Sequence, residues 1–274
     1  MAWQIALDRE GYSGGIIDGK PGTKAKIAVQ EFQKAAGLPV TGLLDDATRT
    51  ALNVDPASAS TTYTVTADDL AQVGPNPKSW VEKSKLKRLA YPSLDEALAE
   101  KFHCTRALLT QLNNGKNIAA LQAGETITVP AVGTTKTPAG SKIEVNLNTK
   151  LVRVLDASNK VVALFHCSVA ADKKNLPSHD GTVVVIVNNP TYSLDPVKWN
   201  LKSITEKLLI PPGPRNPVGL CWVGLSLKGY GIHGTPNPEL IGKTGSHGCI
   251  RLANWDAVRL GKMVQPGTPV KFVR

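Results

Sequence analysis

Two stretches of small and polar residues constrain the fold of this chain more than any other feature. Ala57–Thr62 reads Ala-Ser-Ala-Ser-Thr-Thr, and Val132–Ser141 is rich in Gly, Thr and Pro. Because such stretches bury little apolar surface, they are typical of linkers between folded units. They divide the 274 residues into pieces of about 55, 70 and 135 residues. The sequence therefore predicts a multidomain protein with three units.

The net charge of +10 lies entirely in the last piece. Residues 1–55 carry 6 Lys and Arg against 7 Asp and Glu, residues 56–135 carry 8 against 7, and residues 136–274 carry 18 against 8. A basic unit attracts an anionic ligand or surface. The basic residues are scattered and accompany no nucleic-acid motif, so an acidic polymer or peptide is favoured over nucleic acid. No apolar run approaches the roughly 18 residues of a transmembrane segment.

The first piece contains a weak internal duplication. Gly15–Thr23 is echoed by Gly42–Thr48, and the Ala-Val-Gln-Glu-Phe-Gln stretch between them has helical spacing that Gly37 ends. The Asp-Gly pair could simply make a turn in a small helical bundle. Together, however, these motifs resemble the three-helix peptidoglycan-binding domain of cell-wall enzymes over nearly all of residues 3–53. The resemblance implies a wall-binding module in residues 1–55.

The middle piece has the order strand, helix, helix, strand. The predicted elements begin at Tyr63, Leu94, Thr105 and Ile127. With an Asn after the second helix, this order resembles a LysM carbohydrate-binding module over residues 63–131, which implies a βααβ fold. An insertion at about residues 71–93 departs from that family. A purely structural domain therefore remains an alternative to glycan binding.

The third piece is predicted to be mainly β. Its strands are expected at residues 143–147, 151–155, 161–169, 182–187, 220–225 and 269–273. Only one long helix is expected, Trp255–Val264, with Asn254 as its N-cap. The whole chain is therefore assigned to the α+β class.

The third piece also contains a cysteine between potential partners. Cys249 follows Gly248, His247 lies two residues before it, and His233 lies sixteen before it. An imidazole that lowers the pKa of a thiol and accepts its proton would make Cys249 a nucleophile. Cys249 could instead be an inert buried thiol. A zinc site is the third reading, although His-x13-His-x-Cys is not a familiar zinc spacing.

The motifs Ile232–Thr235 and Ser246–Arg251 resemble the signature of the L,D-transpeptidases, the YkuD-type enzymes that cross-link cell walls. The resemblance spans most of residues 141–273 and implies a mainly-β, sandwich-like catalytic domain at residues 137–274. One stretch, Pro177–Thr182, departs from the family's Thr-Pro-x-Gly. The substrate-facing edge is therefore expected to differ there.

The resemblance also implies roles for individual residues. Cys249 would be the nucleophile and His233 its base, oriented by a nearby main-chain carbonyl, that of Gly234. The amides of Gly248 and Cys249 would form the oxyanion hole. The residues expected to support the site or bind substrate are Ser246, His247, Arg251 and Tyr230.

The implied reaction uses no metal and no cofactor. The thiol would attack the carbonyl before a D-Ala of a tetrapeptide stem, release D-Ala, and pass the acyl group to an amine acceptor in wall cross-linking or protein attachment. Carbapenem-type β-lactams are the expected inhibitors. The protein would be extracytoplasmic (periplasm or cell wall), with its export signal absent from this sequence, because Met1–Asp8 lacks the features of one. An L,D-carboxypeptidase and a non-catalytic wall-binding protein remain alternatives.

The other cysteines are constrained by the expected location, because disulfides persist outside the cytoplasm. If Cys249 stays free, Cys167 and Cys221 form the only possible bridge within the third piece, since Cys104 lies outside it. We favour two buried free thiols at Cys167 and Cys221.

Overall fold

The computed structural model describes residues 1–197 and 199–274, and it is a mixed α and β structure. The N-terminal segment contains three helices, α1 (Ala2–Arg9), α2 (Thr23–Ala36) and α3 (Asp46–Ala51). Gly37 ends α2 in the left-handed conformation at φ 69°, which glycine adopts without a steric penalty. Nowhere in the described residues is a helix both long and apolar enough to cross a bilayer.

The middle segment joins a two-stranded antiparallel sheet to four helices. The strands are β1 (Ser60–Thr64) and β2 (Thr126–Pro130), with Ser60 opposite Pro130. The helices are α4 (Ala67–Ala71), α5 (Trp80–Ser84), α6 (Leu94–Lys101) and α7 (Arg106–Leu112). The predicted insertion contains α5, and it returns to its starting point where Tyr91 pairs with Gln72 and Gly74 through backbone hydrogen bonds.

The expected linker at Ala57–Thr62 is wrong in its second half, because Ser60–Thr62 belong to β1 and pair with β2. The second stretch, Val132–Ser141, contains no helix or strand, but it is tethered. The Lys136 amide donates to the Arg9 carbonyl oxygen at 2.8 Å, and the Gly140 amide donates to the Met263 carbonyl oxygen at 2.7 Å.

The C-terminal segment is one eight-stranded sheet that curls around its core, with a separate hairpin. The sheet strands are β3 (Lys142–Asn146), β4 (Leu151–Leu155), β5 (Val161–His166), β6 (Gly181–Asn188), β9 (Cys221–Leu225), β10 (Gly231–His233), β11 (Ile250–Arg251) and β12 (Pro269–Val273), in the order β11-β10-β9-β6-β12-β3-β4-β5. The hairpin strands are β7 (Tyr192–Leu194) and β8 (Leu208–Ile210). Apolar side chains from both halves of the sheet share one core, so a single curled sheet takes the place of the expected sandwich.

The strand predicted at residues 161–169 ends earlier, at His166. Beyond it the chain leaves β4 and runs beside the opposite edge of the sheet, where Ser168 pairs with Arg251 and Ala170 with Ser246. This crossing brings the two edges of the sheet together and places residues 168–171 next to the Cys249 loop.

Helix α8 (Asn254–Met263) packs against β9, so closely that a side chain on Gly261 would overlap the Cys221 sulfur. The prediction of Asn254 as the N-cap is wrong. Ala253 occupies that position without a side-chain bond, because the Asn254 amide is used for contacts with other segments. Cys167 and Cys221 are both buried and free, which confirms the prediction for them, and Cys104 is buried and free as well.

The three segments share buried contacts. Ile5 and Ile17 lie in the core of the middle segment, and Leu151 and Leu164 of the sheet lie in the core of the N-terminal helices. Buried Asp8 accepts hydrogen bonds from His103 at 2.9 Å and from Arg259 at 3.1 Å, joining α1, the middle segment and α8. These two partners hold the pKa of Asp8 at about 2 although burial alone would raise it. Sequence patterns gave no indication of this junction.

Candidate active site around Cys249

The parallel pairing of β10 with β11 brings the segment of Cys249 beside the strand of His233. Ile232 lies opposite Ile250 and His233 opposite Arg251, and Cys249 immediately precedes β11. A backbone hydrogen bond from Gly231 reaches the Cys249 sulfur. The thiol therefore lies beside the start of β10, the strand that ends at His233.

The His233 imidazole is buried and held by the main chain. Its Nδ1 lies 2.6 Å from the Gly234 carbonyl oxygen, which can only accept, so Nδ1 carries the proton and Nε2 is the free base. Burial lowers the pKa of His233 to about 4, the Gly234 hydrogen bond opposes this, and the Arg251 charge lowers it further. His233 is consequently neutral at physiological pH.

A tryptophan forms the floor beside this histidine. The Trp222 ring stacks on the His233 ring with centroids 5.5 Å apart and planes 22° apart. Side chains on Gly231 or Gly224 would overlap the Trp222 indole. The two glycines therefore leave a trough that the Trp222 indole fills.

The Cys249 thiol is half-buried, and its sulfur lies 3.6 Å from the Gly229 carbonyl oxygen. Burial raises the pKa of Cys249, and a hydrogen bond from the Gly231 backbone only partly opposes this. The expectation that the imidazole lowers this pKa is wrong for the resting protein, because a neutral His233 offers no positive charge to a thiolate.

The loop before Cys249 is closed by Ser246. Its hydroxyl donates to the Cys249 carbonyl oxygen at 2.5 Å and accepts from the Gly248 amide at 3.2 Å. Its main chain pairs with Val169 and Ala171 from the crossing segment. The Gly248 amide, expected to help form an oxyanion hole, is thus engaged by Ser246 in the resting structure.

His247 lies on the exposed side of this loop. The centroid of its ring lies 4.3 Å from that of the Trp199 ring. Trp199 Nε1 in turn donates to the Tyr192 hydroxyl at 2.8 Å. Burial raises the pKa of Tyr192, the Trp199 bond opposes this, and the Cys249 charge raises it further. Trp199, which lies between β7 and β8, thus contacts His247 in the loop before Cys249.

The two residues expected to bind substrate are engaged within the protein. Arg251 Nη2 donates to the carbonyl oxygens of Thr244 at 3.0 Å and Gly245 at 2.5 Å. The Tyr230 hydroxyl donates to the Asn175 carbonyl oxygen at 3.1 Å, and its ring lies beside Gly248. Both side chains shape the walls of the site in the resting structure.

Four functional candidates escaped the sequence analysis: Tyr192, Trp199, Trp222 and Asn254. Trp222 could have been found from the glycines Gly224 and Gly231 in the predicted strand region that follows it, because a glycine within a strand often marks the close approach of another group. The described part of the chain contains no group of three or more His, Cys, Asp or Glu side chains that could hold a metal ion.

These features set a half-buried thiol and a buried imidazole on neighbouring segments of a curled β-sheet, and comparison with known proteins identifies the family of the chain. Residues 140–272 match the YkuD family, described as the L,D-transpeptidase catalytic domain, and residues 1–52 match the "Putative peptidoglycan binding domain" family. The chain belongs to the YkuD-type L,D-transpeptidases.

Two relatives illustrate the similarity. "Putative L,D-transpeptidase YkuD" of Bacillus licheniformis is 33% identical over 65% of this chain and 92% of its own length. "Putative L,D-transpeptidase YqjB" of Bacillus subtilis is 32% identical over 51% of this chain and 74% of its own. A solved L,D-transpeptidase from Mycobacterium smegmatis has 20% identity and a TM-score of 0.39 over 54% of this chain and 65% of that one, which is too low to add to the assignment.

Proposed function

We propose that this protein is a cysteine-dependent L,D-transpeptidase that acts on peptidoglycan stem peptides. The observation that supports the proposal is the β10–β11 pairing, which runs the Cys249 segment beside the strand of His233, whose Nδ1 is bonded to the Gly234 carbonyl oxygen. A fixed base next to a half-buried thiol is the arrangement that acyl transfer through a thioester requires.

In the first half-reaction, His233 Nε2 takes the thiol proton as the Cys249 sulfur attacks the carbonyl before a D-Ala of a tetrapeptide stem. The tetrahedral intermediate collapses when His233 returns that proton to the leaving amine, which releases D-Ala and leaves a thioester. In the second, an amine acceptor loses a proton to His233 and attacks the thioester, and the thiol is restored. The neutral state of His233 suits a base that acts during attack rather than one that ionises the thiol beforehand.

The amides of Cys249 and Gly248 are proposed to hold the oxyanion. Since the Gly248 amide donates to the Ser246 hydroxyl at rest, it must turn from Ser246 toward the substrate when the intermediate forms. Ser246 and His247 support the loop in this scheme. Arg251 and Tyr230 shape the donor side, and the charge of Arg251 attracts a carboxylate-bearing stem.

We assign the three units to residues 1–55, 63–131 and 137–274. The first binds peptidoglycan, in keeping with its family match. The second is a LysM-like module, supported by its antiparallel β1–β2 pair and the helices α6 and α7 between the strands. A protein with this substrate acts outside the cytoplasm, in the periplasm or cell wall, and is acylated by carbapenems.

Mass analysis of products from purified muropeptides tests this proposal. The full-length protein should give cross-linked dimers and free D-Ala, and Cys249→Ala should give neither while keeping the same thermal unfolding midpoint. A carbapenem should add its mass to Cys249 of the wild type only, and EDTA should change nothing. Tripeptides without dimers would replace transfer by hydrolysis, and activity lost to EDTA and restored by zinc would replace the thiol mechanism by a metal one.

A further inference from the structure

A buried asparagine connects the middle segment to the peptide that holds His233. Asn254 is the first residue of α8 and is fully buried. Its Oδ1 accepts from the Leu220 amide at 3.1 Å, and its Nδ2 donates to Glu100 Oε1 at 2.9 Å and to the Pro214 carbonyl oxygen at 3.2 Å. Leu220 and Pro214 belong to the C-terminal segment, whereas Glu100 belongs to α6 of the middle segment.

These partners allow only one orientation of the Asn254 amide. Glu100 and Pro214 present acceptors on one side, and Leu220 presents a donor on the other. Turning the amide over would place its NH2 against the Leu220 N–H and its oxygen against two acceptors, which leaves buried polar groups without partners. Glu100 is therefore part of what points the Asn254 oxygen toward Leu220.

The oxygen so oriented lies against Gly234. A side chain on Gly234 or Gly219 would overlap Asn254 Oδ1, so Asn254 packs directly on both backbones. On its other side, the Gly234 amide donates to the Cys221 carbonyl oxygen at 3.1 Å. Gly234 is thus clamped between α8 and β9, and its own carbonyl oxygen accepts the His233 Nδ1 proton.

Glu100 accepts a second hydrogen bond, from Tyr91, in addition to the one from Asn254. The Tyr91 hydroxyl, from the inserted stretch, donates to its Oε1 at 2.7 Å. The same stretch grips the C-terminal segment, since the Leu89 amide donates to the Pro212 carbonyl oxygen at 2.8 Å and the Arg215 amide donates to the Leu89 carbonyl oxygen at 3.3 Å. Gly213 approaches Leu89 so closely that a side chain there would overlap its backbone.

We propose that Glu100 and Asn254, supported by Tyr91, are positioning residues that hold the Gly234 peptide and through it the His233 imidazole. The middle segment would then help to orient the catalytic imidazole, in addition to any glycan binding. This inference rests on the proposed function only in assigning His233 as the base. The contacts that orient the imidazole exist whichever reaction follows.

The charge state of Glu100 provides a signature that a purely structural role would lack. Burial raises its pKa to about 7, the Tyr91 and Asn254 hydrogen bonds oppose this, Glu96 raises it and His103 lowers it. An ionised carboxylate is the stronger acceptor. The grip on Asn254 should therefore strengthen as the pH rises through about 7, and the His233 Nδ1–H environment should change with it.

The test uses the full chain with ¹⁵N-labelled histidine and measures two quantities. The first is the His233 Nδ1–H NMR signal against pH, assigned by its absence in His233→Gln. The second is the rate constant for acylation of Cys249 by a carbapenem, separated into binding and chemical steps. The variants are Glu100→Leu, Glu100→Gln and Tyr91→Phe. The matched control is Asp95→Asn, a carboxylate on the same helix whose partner, Arg106, lies within the middle segment.

We expect Glu100→Leu to shift the His233 signal, abolish its pH step near 7 and slow the chemical step on the order of 10-fold to 100-fold, since small displacements of a reacting group have such effects. Glu100→Gln should also lose the pH step but recover part of the rate, because its amide oxygen still accepts from Asn254. Asp95→Asn should match the wild type.

An unchanged His233 signal and an unchanged rate in folded Glu100→Leu would overturn the inference. If Glu100→Leu does not fold, Tyr91→Phe decides, because it removes only the hydroxyl that donates to Glu100 and should move the pH step. A wild type that no carbapenem acylates would refute the proposed function instead, while the NMR signal would still test the positioning.

Discussion

The two walls that flank the Cys249 thiol are built in different ways. On one wall, His233 lies within the sheet, buried, bonded to a main-chain carbonyl and stacked on Trp222. On the other, His247 lies on an exposed loop, and its ring contacts that of Trp199 from the β7–β8 connection. Both histidines lie near Cys249 in the sequence, so their spacing alone does not indicate which of them acts as the base.

The difference teaches that a base is defined by what fixes its ring rather than by its distance along the chain. A buried ring with one nitrogen bonded to a carbonyl has a set tautomer and a set direction. A ring on an exposed loop beside another exposed ring can turn with it. We therefore call the first the fixed wall and the second the loop wall, and we expect substitutions to affect activity in that order.

The largest effect is expected from His233→Ala in the fixed wall. Removal of the general base should slow acylation of Cys249 on the order of 10²-fold to 10⁴-fold. The measurement is carbapenem acylation followed by protein mass, with the thermal unfolding midpoint as a check on folding. If His233→Ala acylates as fast as the wild type, the assignment of the base to this wall is wrong.

The pH dependence of the acylation rate tests the burial of His233 in the fixed wall. The folded-state pKa of His233 is lowered to about 4, so the neutral base persists as the pH falls and is lost only below that value. An ordinary histidine with a pKa near 6.5 would already have lost roughly 30-fold of its neutral form at pH 5. Acylation rates between pH 3.5 and 8, with near-ultraviolet circular dichroism to follow folding, distinguish the two. An acidic limb centred near 6.5 that persists in Glu100→Gln, which lacks the carboxyl with a pKa of about 7, would contradict the burial argument.

Trp222→Leu should have an intermediate effect. It removes the ring that stacks on His233 and empties the trough over Gly224 and Gly231. We expect a loss of roughly tenfold in the acylation rate, because the imidazole gains freedom without losing its bond to Gly234. Trp222→Phe keeps a flat ring and serves as the control. Equal losses in the two variants would show that the stacking geometry does not matter.

The smallest effect is expected in the loop wall. His247→Asn should change the acylation rate by no more than roughly threefold, since it removes a ring contact and no proton-transfer group. Trp199→Phe, which preserves an aromatic partner for His247, should stay closer still to the wild type. If His247→Asn is as slow as His233→Ala, the assignment of His233 rather than His247 as the base is wrong.

The sequence predicted the elements whose patterning is local. The strands β3, β4, β9 and β12 were found within about one residue of their observed ends, since buried strands rich in Val, Ile and Leu have a clear signal. The motif Ser246–Arg251 was also evident, because it resembles a family signature that is local in sequence.

What the sequence missed depends on contacts between distant residues. The hairpin strands β7 and β8 have three residues each and carry no periodicity, so nothing predicted the hairpin or the contact of Trp199 with His247. The insertion at about residues 71–93 was interpreted only as a departure from a family pattern. In the structure it packs its Leu89 with Leu194 and Ile210 of that hairpin. The cap assigned to Asn254 was wrong for the same reason, since its partners lie 34 and 154 residues away.

The contact of the N-terminal segment with β5 covers the outer edge of that strand. The Leu164 amide donates to the Gly11 carbonyl oxygen at 3.0 Å, the Ser13 amide donates to the Leu164 carbonyl oxygen at 2.9 Å, and the Tyr12 hydroxyl donates to the Val161 carbonyl oxygen at 2.7 Å. An outermost strand with unpaired backbone groups is a template for pairing with another chain. The N-terminal segment therefore protects the β5 edge from pairing with a second copy of the chain. Residues 137–274 produced without it would expose that edge and should self-associate.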